Sequence, residues 1–134
     1  MTPDQIASVQ ATLAAIESDL SRIAGDFYTE LFVRHPEMRP LFTNDIDGQR
    51  EKFAAEMLQI GMSLDQLDDL RARTADLGRR HRGYGVRSAH YGQVRDVLLD
   101  VLARSFGDDF TDDDRLAWRR MYNLVAQAMQ TPSP

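Results

Sequence analysis

The stretch ADLGRRHRGYGV, residues 75–86, places a single histidine, His81, among three arginines and just before two glycines. Leu70, Thr74, Leu77 and His81 follow one another at steps of four, three and four residues, which puts them on one face of a helix. Glycine readily ends a helix, because it adopts the left-handed conformation at no steric cost. The stretch therefore predicts a helix that ends near the glycines and carries a buried imidazole in its last turn.

Two interpretations of the role of this imidazole are open. A lone histidine on an apolar face is usually a core residue whose ring nitrogens are satisfied by hydrogen bonds. A zinc site needs three or four protein ligands, and neither His35 nor His90 is spaced to share one with His81. Haem iron, by contrast, needs only one protein ligand on its proximal side, because the macrocycle supplies the others. His81 is thus either a satisfied core histidine or a haem ligand.

The other segments also have helical patterns. Capping-box patterns at residues 2–5 and 63–66 predict two helix starts, and Ser88 and Thr111 are candidate caps for two more. Apolar residues recur at steps of three and four, and no segment alternates with a period of two. We therefore predict an all-α fold of about six to eight unequal helices.

The composition limits the class of protein. The 134 residues fit one domain, 1–134, whose last residues, 129–134, we expect to be frayed. A net charge of −5 disfavours nucleic acid, whose phosphates attract basic surfaces. No run reaches the roughly 18 apolar residues that suggest a membrane-spanning helix. With no cysteine and no secretory signal, the chain is expected to be cytoplasmic, without membrane insertion.

Four blocks of sequence carry a resemblance to a known family. They are FYTELFVRHPEMRPLF at 27–42, GQREKF at 48–53, LGRRHRGYGVRSAHY at 77–91 and AWRRMY at 117–122. In this order and spacing the chain resembles a bacterial single-domain globin, close to the haem domain of flavohaemoglobins. The resemblance runs from about residue 6 to residue 129 and implies a globin fold around haem b.

The resemblance also assigns the iron ligand and the distal residues. It implies that His81 is the proximal iron ligand and that Tyr28 faces the gas ligand. Phe42, 14 residues after Tyr28, would pack on the haem face. Gln49, 32 residues before His81, would stand beside the gas ligand, with Phe53 one turn further along.

Further haem contacts follow from the same resemblance. Tyr91 would contribute on the proximal side. Val86, Val94 and Leu98 are candidate apolar walls, although ordinary core packing explains them equally well. The cationic side chains that could reach the haem propionates are Lys52 and Arg80, whereas Arg79 and Arg82 are expected to face solvent.

The implied function is reversible binding of O₂, with NO and CO as further ligands, for storage, delivery or scavenging. Two alternatives stay open beside it, namely an NO dioxygenase served by an external reductase and a gas or redox sensor, and a haem-free helical interaction module is a further class. The sequence contains no reductase module, and its tail TPSP at 131–134 has no carboxylate where flavohaemoglobins carry a proximal glutamate. We therefore expect a gas-binding protein rather than a self-sufficient enzyme. The oligomeric state is left open.

Overall fold

Six α-helices form the fold in the computed structural model, which describes residues 1–43 and 45–131. The prediction of an all-α fold of six to eight helices is confirmed. The helices are α1 (Pro3–Ile16), α2 (Leu20–Arg34), α3 (Ile46–Met62), α4 (Leu67–Gly83), α5 (Ser88–Phe106) and α6 (Asp112–Gln130).

Short 3₁₀ turns separate several of the helices, at Glu17–Asp19, Pro36–Leu41 and Gly107–Asp109. α2 stops at Arg34 because the residue before a proline avoids the helical region. Past the end of α4, Gly85 has a φ of +84°, a conformation that glycine adopts without strain. Gly83, which we expected to share this role, is instead the last residue of α4.

Two of the predicted caps are correct. Thr2 forms a capping box with Gln5 at the start of α1, and Thr111 forms one with Asp114 at the start of α6. The predicted box at residues 63–66 is wrong. Ser63 closes α3, since its N–H donates to the carbonyl of Ile60 at 3.1 Å, and α4 begins only at Leu67.

The predicted cap at Ser88 is also wrong. Ser88 is the first residue of α5, and its hydroxyl donates to Oε1 of Gln130 at 2.6 Å. The N–H of Arg87 donates to Nδ1 of His90 at 2.9 Å, so the His90 side chain takes part in the cap at the start of α5 instead of Ser88. A serine at a helix start can thus be recruited by a neighbouring element when one lies within reach.

The packing of the helices leaves a gap on one side. α2 packs on α3 and α5, while α6 packs on α1, α4 and α5, and α1 also crosses α3. α3 and α4 are not a closely packed pair in the described ranges. Trp118, Phe27 and Leu13 are almost fully buried in the core. No helix among the described residues is both long and apolar enough to cross a membrane.

Candidate functional site

Aromatic rings cluster around one buried phenol, Tyr28 of α2, which is 3% exposed. Phe42, at the end of the 3₁₀ turn, meets the Tyr28 ring edge-on with centroids 5.4 Å apart. Phe53 of α3 meets the same ring at 5.7 Å and stacks on Phe27 at 4.7 Å. Because 14 residues separate Tyr28 from Phe42, only the tight turn after α2 allows the two rings to meet. The structure therefore brings together Tyr28, Phe42 and Phe53.

One hydrogen bond links two polar side chains inside this cluster. Nε2 of Gln49 donates to the Tyr28 hydroxyl at 3.2 Å. Burial raises the pKa of Tyr28 to about 12, while the bond from Gln49 acts in the opposite direction. The phenol thus stays neutral at ordinary pH and keeps its proton. Since Gln49 fills an acceptor position, the Tyr28 O–H remains able to donate, and no described residue accepts from it.

A histidine with one occupied nitrogen lies in the last turn of α4. Nδ1 of His81 lies 2.7 Å from the carbonyl of Leu77, one turn earlier on the helix. This bond assigns the proton to Nδ1, so Nε2 carries a lone pair and has no partner among the described residues. Burial lowers the pKa of His81, which favours the neutral imidazole, although the Leu77 bond opposes this shift. A neutral ring with a free Nε2 is the form that binds a metal.

Two further features surround His81. The ring of Tyr91, in α5, lies near-parallel to it at 29°, with centroids 6.4 Å apart. The N–H of Val86 donates to the His81 carbonyl at 3.1 Å and fixes the chain as it leaves α4. The Leu77 carbonyl of α4 therefore orients the imidazole, and the Tyr91 ring of α5 faces it.

A cleft of about 570 Å³ opens between α3 and α4. Glu56 of α3 and Arg73 of α4 form an ion pair across it, with an N–O distance of 2.9 Å. The charge of Glu56 also reaches His81 and tends to raise its pKa. His81 therefore lies within electrostatic range of Glu56 on α3. The cleft is lined by Glu56, Gln59, Met62, Ser63, Gln66, Asp69, Ala72, Arg73, Asp76 and Arg80.

The remaining predicted residues lie at different depths. Leu98 is buried in the core, and Val86 and Val94 are half-buried. Lys52 is exposed on α3, and Arg80 is exposed and paired with Asp76 at 3.1 Å.

Sequence reasoning missed two charged residues near the site. Glu56 lies seven residues after Gln49 and so shares its helical face, a signal that the spacing did contain. Arg82 is exposed, and its Nη1 also donates to the carbonyl of Met129 in α6 at 2.8 Å, a contact that was not predicted. The length of the arginine side chain concealed this contact, because the sequence does not show which carbonyl lies in reach.

The donor set is compatible with haem. Within the described ranges, no group of three or more acidic or histidine side chains is placed to hold a metal ion by itself. A single imidazole with a free Nε2 meets the requirement of haem iron for one protein ligand. The aromatic side chains around Tyr28 would suit the apolar face of a porphyrin.

Comparison with known proteins agrees with this arrangement. The globin family profile matches residues 25–129. A flavohemoprotein of Bacillus subtilis is 29% identical over 123 residues, which cover 90% of this chain and 31% of that protein. A flavohemoprotein of Deinococcus radiodurans is 30% identical over 132 residues, covering 96% of this chain and 33% of its own length. The chain spans about a third of the length of these relatives.

Solved structures show the same fold. An engineered carbene transferase derived from a candidate nitric oxide dioxygenase of Rhodothermus marinus superposes with a TM-score of 0.89 at 27% identity. The match covers 97% of this chain and 91% of that one. A bacterial globin from Campylobacter jejuni gives a TM-score of 0.85 at 20% identity, covering 96% and 94% of the two chains. The chain belongs to the globin family.

Proposed function

We propose that this globin binds haem b through His81 and binds O₂ reversibly on the opposite side, next to Tyr28 and Gln49. The observation that carries the proposal is the bond from Gln49 to Tyr28, which leaves the Tyr28 proton free within an aromatic cluster. The free Nε2 of His81 supports the assignment of the iron ligand. A bound haem would supply the iron atom to which a diatomic gas bonds.

The cofactor is proposed to be held without a covalent link. Thioether attachment of haem needs cysteines, and the chain has none, which supports haem b. Phe42 and Val86, with Val94 and Leu98, would pack against the porphyrin, and Tyr91 would steady the His81 ring. Lys52 and Arg80 are the proposed partners of the propionates.

The distal pair would distinguish gases by their polarity. A bound ferrous haem would polarise O₂ far more than CO, so the Tyr28 O–H would donate more strongly to O₂. A hydrogen bond to a charged acceptor is worth about 1.5–3 kcal/mol. Since about 1.4 kcal/mol corresponds to a tenfold change, the Tyr28 O–H should slow the release of O₂ by roughly ten- to a hundredfold.

Ligand release from a Tyr28→Phe variant tests this function. We expect O₂ to leave roughly ten- to a hundredfold faster, with CO release nearly unchanged, in stopped-flow measurements on the haem-loaded protein. Tyr84→Phe is the matched control, because Tyr84 is 55% exposed. Equal acceleration of both gases would contradict the hydrogen-bond argument.

NO dioxygenation, with an external reductase, is the second candidate. The structural likeness to a candidate nitric oxide dioxygenase favours it. Mixing the O₂-loaded protein with NO in the presence of a cell extract, and following nitrate over many turnovers, separates the two functions. Sustained nitrate formation supports the enzyme, whereas a single turnover without re-reduction supports reversible O₂ binding.

A further inference from the structure

We propose that Arg82 is a positioning residue for His81, acting through a junction between α4 and α6. This α4–α6 junction consists of Gly78 and Arg82 on α4 and the carbonyl of Met129 on α6. The inference rests on the proposed role of His81 as the iron ligand.

The first contact of the junction is a charged hydrogen bond. Nη1 of Arg82 donates to the Met129 carbonyl at 2.8 Å. This carbonyl belongs to the last turn of α6, where the four terminal carbonyls have no partner within the helix. A guanidinium there also complements the negative end of the helix dipole. Arg82 therefore satisfies an acceptor that α6 itself cannot satisfy.

The second contact is a close approach of the two backbones. A Cβ added to Gly78 would lie 2.1 Å from the same Met129 oxygen, a distance that no side chain tolerates. Gly78 and Arg82 are one helical turn apart and so both face this carbonyl. The Met129 oxygen therefore restricts both the sliding and the rotation of α4 in the turn from Gly78 to Arg82. His81 lies within that turn.

The end of α6 also holds the helix that carries Tyr91. The hydroxyl of Ser88, at the start of α5, donates to Oε1 of Gln130, the residue after Met129. Burial raises the pKa of Tyr91, and the charge of Arg82 opposes that shift. Adjacent residues of α6 therefore anchor both helices whose rings face each other at 6.4 Å. Loss of the Arg82 contact would free His81 relative to Tyr91.

Resonance Raman spectroscopy of the ferrous, haem-loaded protein tests the inference. We expect Arg82→Gln to broaden and displace the iron–imidazole stretching band, because the imidazole then samples several orientations. Haem loss should become roughly tenfold faster, the low end for a charged hydrogen bond because Arg82 is exposed. Arg82→Lys should restore a narrow band, since an ammonium can donate to the same carbonyl. Arg79→Gln is the matched control, because Arg79 is exposed and pairs with Asp76.

Three outcomes would overturn the proposal. An Arg82→Gln protein with a native band, whatever its thermal midpoint, would show that the contact is only structural. A band that changes equally in the Arg79→Gln control would show that any loss of charge on α4 suffices. Gly78→Ala provides a second route, since it displaces α4 while keeping Arg82, and it must alter the band as well. A native protein without any iron–imidazole band would instead refute the proposed function itself.

Discussion

Tyr28 combines two properties at the scale of a single residue, since its ring is packed among phenylalanines and its hydroxyl is poised to donate. Spacing to Phe42 and His81 identified it in the sequence, because resemblance to the globins fixes those intervals. The bond from Gln49 could not be foreseen in the same way. It depends on how α2 and α3 cross, which brings two residues 21 positions apart within 3.2 Å.

The raised pKa of Tyr28 predicts alkaline instability. The unfolded phenol ionises near pH 10, whereas the folded one ionises at about 12. The contribution of the neutral Tyr28 phenol to the free energy of unfolding is therefore fully present below pH 10. It falls as the pH rises towards 12, by up to about 1.4 kcal/mol per pH unit. Tyr28→Phe should lessen this fall in urea unfolding measured from pH 9 to 12, and the remaining fall comes from Tyr91 and Tyr122, whose pKa values burial also raises. Tyr84→Phe, at an exposed position, should leave the slope as in the native protein.

At the scale of the element, the helix ends show which caps a sequence pattern predicts correctly and which it does not. The box at Thr2 and the cap at Thr111 formed as predicted. The same pattern at residues 63–66 failed because the chain must first close α3, and the N–H of Ser63 is used for that purpose. A local sequence pattern therefore predicts which residues could cap a helix. Whether one of them does so depends on where the preceding helix ends.

A pair of substitutions tests that difference. Thr111→Ala should lower the free energy of unfolding by about 1 kcal/mol, because its hydroxyl accepts from the Asp114 N–H at 3.1 Å. Ser63→Ala should change it by only a few tenths, since Ser63 caps no helix with its side chain. Denaturant unfolding of the two variants gives both values. A Ser63→Ala cost equal to that of Thr111→Ala would mean that the 63–66 box forms after all.

Three helices are tied together at the scale of the whole molecule by a charge network that the sequence does not reveal. Asp100 of α5 pairs with Arg34 of α2 at 2.7 Å and with Arg115 of α6 at 2.8 Å. The all-α class and the order of the helices follow from apolar periodicity. Arg34 and Asp100 are 66 positions apart in sequence, and they pair because α2 packs on α5. Apolar periodicity does not encode how helices cross, so it does not predict such a pair.

That network predicts a response to acid. The bond from Arg115, with help from Arg34, lowers the pKa of Asp100 below its usual value, although partial burial opposes the shift. The stabilisation is present above the unfolded pKa of about 3.9 and is lost as the pH falls towards the lower folded value. Asp100→Asn should therefore reduce the dependence of stability on pH in this acidic range. Asp113→Asn, at an exposed site, is the control, and an equal effect there would exclude a specific role for the network.

Haem titration followed by absorption spectroscopy tests the central claim most directly. The native chain should develop an intense Soret band that saturates at one haem per chain, and His81→Ala should lose most of it. His35→Ala and His90→Ala should bind as the native protein does, because these rings pair with Glu37 and with the Arg87 N–H. A native chain without a Soret band, or a His81→Ala protein that binds haem with native affinity and spectrum, would contradict the account.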